Sequence, residues 1–179
     1  MYGLANSNNN PYLYALNSQQ RANMQRIAVF PGSFDPFTLG HKAIVDEGVD
    51  IFDHIVIGVG DNSEKRGMLI PEQRARLIED LYHDNPKISV RIYKGLTVDF
   101  CRECQAQFLL RGVRNAVDFE YEHNMQLINE RLSPGLTTVL LFTPPRYAAI
   151  SSSIIRELVH FGGDPAQFLP EGVDLKKYL

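Results

Sequence analysis

The sequence predicts an α/β protein: one domain with a doubly wound, five-stranded parallel sheet and helices on both faces. Three observations predict it. Short β-type runs alternate with helical stretches from Met24 onward, with no internal repeat and no linker between them. Strands separated by helices form βαβ units, and these bury a parallel sheet on both sides. The polar clusters at 31–41, 60–66, 94–97, 111–114 and 143–153 each follow a predicted strand. Right-handed crossovers make such a sheet Rossmann-like. Its ligands sit beyond the carboxyl ends of the strands, where the strand order reverses.

Each element follows from its residues. Ile27-Ala28-Val29-Phe30 is a short apolar strand, and a Gly- and Pro-containing turn leads from it into a helix over about 40–52. Ile55 to Val59 is the second strand. Pro71 opens a helix at the position where its missing N–H costs nothing, and Arg74, Leu77, Ile78 and Leu81 continue it. Ile88, Val90 and Ile92 alternate with period two in the third strand, 88–93. A helix over 97–106, a strand over 108–110, a helix over 118–132 and a strand over 138–142 follow. Ser152 or Ser153 then caps a helix running to about His160, and Gly162-Gly163 stops it.

Composition bounds the function. With 179 residues, 44% hydrophobic and 22% charged, the chain suits one well-buried domain, 24–179, with an extension over 1–23. A net charge of −3 argues against a general nucleic-acid binder. No apolar run reaches membrane-spanning length. Residues 1–23 are rich in Asn and Gln, have Arg21 as their only charged side chain, and resemble neither a signal nor a transit peptide. Cys101 and Cys104 form a lone C-x-x-C on a predicted helix, which reads as buried or half-buried thiols in a reducing cytoplasm. His54, His83, His123 and His160 have no metal-ligand spacing, so no protein-held metal is expected.

The chemistry concentrates in Pro31-Gly32-Ser33-Phe34-Asp35-Pro36-Phe37-Thr38-Leu39-Gly40-His41. Gly32 lets backbone N–H groups approach a ligand, Ser33 adds a hydroxyl, and Gly40-His41 opens a helix whose N-terminus favours an anion. Neither G-x-G-x-x-G nor G-x-x-x-x-G-K-[ST] is present, so dinucleotide-fingerprint and P-loop readings fail. Arg111 and Arg114 follow a strand, where a positive charge lands at the ligand edge of the sheet; structural ion pairing is the other reading. Ser151, Ser152 and Ser153 would cap a helix even in a protein that bound nothing.

Thr38-Leu39-Gly40-His41 resembles the T/H-x-G-H signature of the nucleotidyltransferases. Arg111-Gly112-Val113-Arg114, Asp118-Phe119-Glu120-Tyr121-Glu122, Ile150-Ser151-Ser152-Ser153 and Phe168-Leu169-Pro170 narrow the resemblance to bacterial phosphopantetheine adenylyltransferases over residues 25–179. The resemblance implies transfer of AMP from ATP to 4′-phosphopantetheine, giving dephospho-coenzyme A and pyrophosphate. It makes His41 the transition-state stabiliser and a ligand of the ATP phosphates. Ser33, Lys65, Thr97 and Arg111 become the acceptor site. Ser33, Phe34, Gly112, Val113, Arg114, Glu122, Tyr147, Ala148, Ala149, Ile150, Ser151, Ser152 and Ser153 become the rest of the ATP site. It also implies Mg²⁺ carried mainly by the ATP phosphates, a homohexamer, and coenzyme A as feedback inhibitor. Tyr147 stands where the family often has Trp, and Pro144-Pro145-Arg146 and His123-Asn124 also depart from its pattern. The alternatives are a nicotinamide mononucleotide adenylyltransferase, a cytidylyltransferase, and a noncatalytic nucleotide-binding module.

Overall fold

The computed structural model describes residues 25–61 and 67–179. The extension over 1–23, Met24 and Lys65 lie outside the described residues. Five strands form one parallel sheet: β1 (Ile27–Gly32), β2 (His54–Gly60), β3 (Ile88–Tyr93), β4 (Phe108–Val113) and β5 (Thr137–Phe142). Their order is β3-β2-β1-β4-β5, so the order reverses between β1 and β4. Among the described residues five α-helices accompany them: α1 (Leu39–Ile51), α2 (Pro71–Tyr82), α3 (Thr97–Glu103), α4 (Ala116–Leu132) and α5 (Ser152–His160).

Side-chain alternation along the strands divides the core in two. Ala28 and Phe30 of β1, Ile55, Ile57 and Val59 of β2, and Leu110 of β4 pack with Ile44 and Val45 of α1 and Leu77 and Ile78 of α2. Val29, Val56 and Leu109 point the other way, against Val98, Phe100 and Cys101 of α3. Burial pushes the Cys101 thiol up to about 12, and neither cysteine is bonded to another.

Several boundaries differ from the sequence reading, each for a visible reason. β1 runs to Gly32 because Pro31 and Gly32 stay in register with Gly58 and Val59. β4 runs to Val113, since Arg111, Gly112 and Val113 pair with Leu140, Leu141 and Phe142. Arg111 is therefore a strand residue, not a loop residue. α3 stops at Glu103 because Gln105 turns into the left-handed region, at φ 54°, and the Ala106 N–H donates back to the Cys101 carbonyl. α4 begins at Ala116, because Asn115 caps it by accepting from the Asp118 N–H at 2.9 Å. Ser151, rather than Ser152 or Ser153, caps α5 by accepting from the Ile154 N–H at 3.3 Å.

Candidate active site

The site opens at the carboxyl edge of β1 and β4, where the sheet order reverses, as doubly wound topology requires. Gly32 ends β1, and a Cβ there would meet the Phe34 ring at 2.7 Å, so only glycine lets that ring fold back over the turn. Phe34 itself has φ 49° and is fully buried. Thr38 then caps α1. Its hydroxyl accepts from the His41 N–H at 3.4 Å, and its own N–H donates to His41 Nδ1 at 3.0 Å.

That last bond fixes the histidine. A backbone N–H can only donate, so Nδ1 is the acceptor and the proton of the neutral ring sits on Nε2. The imidazole is packed by Phe34, whose ring is perpendicular at 5.1 Å between centroids, and by Phe37 at 5.3 Å. Burial among these rings, with Arg114 and Arg111 adding positive charge, lowers the His41 pKa to about 4. At neutral pH His41 is therefore an uncharged donor through Nε2.

Two arginines face it from β4 and the turn beyond. Arg111 Nε donates to Glu122 Oε2 at 2.8 Å, Nη2 donates to Oε1, and Nη1 donates to the Pro31 carbonyl at 2.9 Å. Arg114 makes the parallel pair with Asp118, at 2.7 Å from Nε and 3.1 Å from Nη2. These hydrogen bonds hold the Asp118 carboxyl below its ordinary range and raise the Arg114 guanidinium. Both arginines are thus ion-paired, as the structural reading of the sequence had it, and both still line the cleft.

Two adjoining cavities share Pro31, Arg111 and Glu122 as a common wall. The first, of about 360 Å³, is lined by Ser33, Phe34, His41, Gly112, Arg114 and the run from Ile150 to Ser153, among others. The second, of about 290 Å³, is lined by Thr97 with Leu96, Val98, Leu109, Met125, Ile128 and Leu132. Its polar contributors beyond the shared wall include Asn129 and Tyr121. Alternation along β4 directs Arg111 toward the α3 face. It turns Gly112 toward α1, where a Cβ would press on Ile44 at 2.9 Å.

Not every residue named from the sequence reaches a cavity wall. Val113 is buried, and Tyr147, Ala148 and Ala149 stand back from both linings. Arg146 instead stacks over the Tyr147 ring at 4.9 Å. The serines divide their work: Ser152 donates to the Pro36 carbonyl at 2.9 Å, and Ser153 accepts from Arg156 at 3.1 Å.

The sequence reading missed Arg156 as a lining residue and gave Thr143 and Asp118, which fell inside its polar cluster and motif, no role of their own. It also missed Asp35, whose buried carboxylate accepts from the Met68 and Leu69 N–H groups at 2.8 Å each. Arg156 carried a signal, since it lies one helical turn beyond Ser153 and so faces the same way. Asp35 carried none, because its partners are 33 and 34 residues away.

Known proteins match this architecture. The family described as Cytidylyltransferase-like covers residues 29–158. A Bacteroides thetaiotaomicron phosphopantetheine adenylyltransferase is 45% identical over 150 residues, covering 84% of this chain and 99% of its own. The chain belongs to the phosphopantetheine adenylyltransferase family. Members from Phocaeicola vulgatus, 47% identical over 150 residues, and Porphyromonas gingivalis, 48% identical over 148, cover 84% and 83% of this chain and 99% and 96% of their own lengths. The family's fold also appears in a Vibrio parahaemolyticus structure provisionally described as a nicotinate-nucleotide adenylyltransferase. That structure has a TM-score of 0.61 at 21% identity and covers 82% of this chain and 94% of its own. At that identity the likeness speaks for the fold alone.

Proposed function

We propose that this enzyme transfers the adenylyl group of ATP to 4′-phosphopantetheine, with both substrates bound at once across the Arg111–Glu122 wall. The observation that carries the reading is the pair of adjoining cavities: one rimmed by donors, the other apolar, meeting at an arginine. ATP occupies the first, against His41, Gly112, Arg114 and the head of α5. The pantetheine arm lies in the second, along Thr97 and the apolar side chains, with its phosphate at Arg111 and Ser33. Lys65 is assigned to the same phosphate on the family resemblance.

A phosphate oxygen of the acceptor attacks the α-phosphorus of ATP. The new P–O bond forms as the bond to the β-phosphate breaks, and pyrophosphate leaves with that electron pair. The nucleophile is already anionic, so no side chain takes a proton and no covalent enzyme intermediate forms. The protein's work is alignment and charge stabilisation. His41 Nε2–H donates to the oxygens on which charge grows, and being neutral it gives up no proton in doing so.

Mg²⁺ fits as an ion carried in by the triphosphate. The carboxylates at the first cavity, Asp118 and Glu122, are taken by Arg114 and Arg111, so the donors left for the ion are phosphate oxygens and water.

Coenzyme A contains the same pantetheine arm and competes for the second cavity as a feedback inhibitor. A homohexamer is supported by α4, whose only buried residues are Glu122 and Asn129 while Val117, Tyr121 and Ile128 stand exposed. A cytoplasmic setting suits the two free thiols. Among the described residues, no helix is long and apolar enough to cross a membrane.

Pyrophosphate release measured across acceptors tests the assignment. Release with ATP and phosphopantetheine, and not with nicotinamide mononucleotide or with CTP and phosphocholine, is expected. A preference for either of the others overturns it.

A further inference from the structure

Arg74 of α2 takes no part in the mechanism above and lines neither cavity, yet it is 8% exposed and carries a full charge. Its Nη1 donates to the Ser33 carbonyl at 2.7 Å and to the Gly60 carbonyl at 3.2 Å. Among the described residues its Nε has no acceptor and no carboxylate lies within ion-pair distance. A buried guanidinium held by two carbonyls is a poor stability device, because desolvation offsets much of what those bonds return. A nonpolar side chain of similar length would fill the same space.

What the guanidinium does hold is the turn. Ser33 O belongs to the peptide that enters Phe34, and Phe34 sits at φ 49°, a region bulky residues seldom occupy. A trans peptide points its C=O and N–H in opposite directions. Gripping the carbonyl therefore also sets the direction of the Phe34 N–H. Gly60 ends β2, so the same guanidinium fixes the spacing between the carboxyl ends of β1 and β2.

We propose that Arg74 is a positioning residue for adenylyl transfer, anchoring the Ser33–Phe34 turn from behind so that its polar groups meet the phosphates. This rests on the function proposed above. In Arg74→Met the turn loses its anchor, and turnover falls about thirtyfold or more, on the scale of a misplaced phosphate contact. Arg74→Lys keeps a donor and regains part of that loss. Arg76→Met, an exposed change on the same helix, leaves the rate unaltered.

The experiment is steady-state kinetics on the full chain and these three variants, below their melting temperatures, with ATP affinity measured separately by calorimetry. A lowered kcat and weakened ATP binding in folded Arg74→Met, partly restored in Arg74→Lys, support the proposal. A folded Arg74→Met with kcat, both KM values and ATP affinity within twofold of wild type overturns it. If the Met variant does not fold, Arg74→Lys decides: reduced kcat supports the anchor, and an unchanged one overturns it. If the wild type uses another acceptor, the functional reading fails, and ATP affinity in the variants still judges Arg74.

Discussion

On the α1 side of Arg111 the cavity wall is a backbone turn, a neutral histidine, four serines and two further arginines. On the α3 side it is mostly Leu96, Val98, Leu109, Met125, Ile128 and Leu132, with Thr97, Tyr121 and Asn129 among them. The first wall supplies oriented donors and suits charge that builds during a reaction. The second supplies apolar area and suits an unreactive chain. On the proposed function the contrast teaches that binding and chemistry occupy separate ground, and among the described residues the two linings share Pro31, Arg111 and Glu122.

Breaking the shared wall has the largest expected effect. Arg111→Ala removes the proposed acceptor-phosphate partner and strands the buried Glu122 carboxylate. It should lower kcat/KM about a thousandfold and stability by about 3–5 kcal/mol. Steady-state kinetics and denaturant melts check both; a loss confined to one substrate's KM would mean that the cavities do not share this residue.

His41→Ala sharpens the polar side of the contrast. Turnover should fall about a hundredfold while ATP affinity stays within about tenfold, because the donor matters most in the transition state. Stopped-assay kcat with calorimetric ATP binding reads the split. The same histidine imposes a pH signature. Its folded pKa of about 4 lies below the unfolded value of 6.5, so the unfolded chain binds the extra proton between those values. The stability it affects is intact above pH 6.5 and falls as pH drops toward 4, by up to about 3 kcal/mol. Melts across that window should lose this slope in His41→Ala.

The apolar side calls for a smaller effect. Met125→Ala should raise the acceptor KM roughly tenfold, as expected for lost apolar packing, with the ATP KM unchanged. Smallest is Tyr93→Phe. The Tyr93 hydroxyl is 3.1 Å from Thr97 Oγ1, and its ring stacks on Phe100 at 4.4 Å, so only one hydrogen bond is lost. About a fivefold rise in acceptor KM alone is expected.

Much of this contrast was legible before any coordinates. Period-two runs and the Pro71 start located the strands and helices, and the polar turn located His41. What stayed hidden depended on pairing between distant segments. The extension of β4 through Arg111 comes from register with β5, and the ion pair with Glu122 comes from where α4 crosses the sheet. Arg74 is the instructive case. The sequence puts it on the buried stripe with Leu77, Ile78 and Leu81, and a charge on such a stripe signals a partner, but the partners are carbonyls 41 and 14 residues away. The tautomer of His41 likewise needed the geometry of Thr38. Tyr147 illustrates the reverse limit, since the motif names it while the fold sets its ring under Arg146.

Exchange of labelled pyrophosphate into ATP tests direct transfer between two substrates held on either side of Arg111. No exchange is expected with enzyme, ATP, Mg²⁺ and pyrophosphate alone, and ready exchange once phosphopantetheine is added. Exchange without the acceptor would reveal an adenylyl-enzyme and contradict it, as would silence in the acceptor's presence.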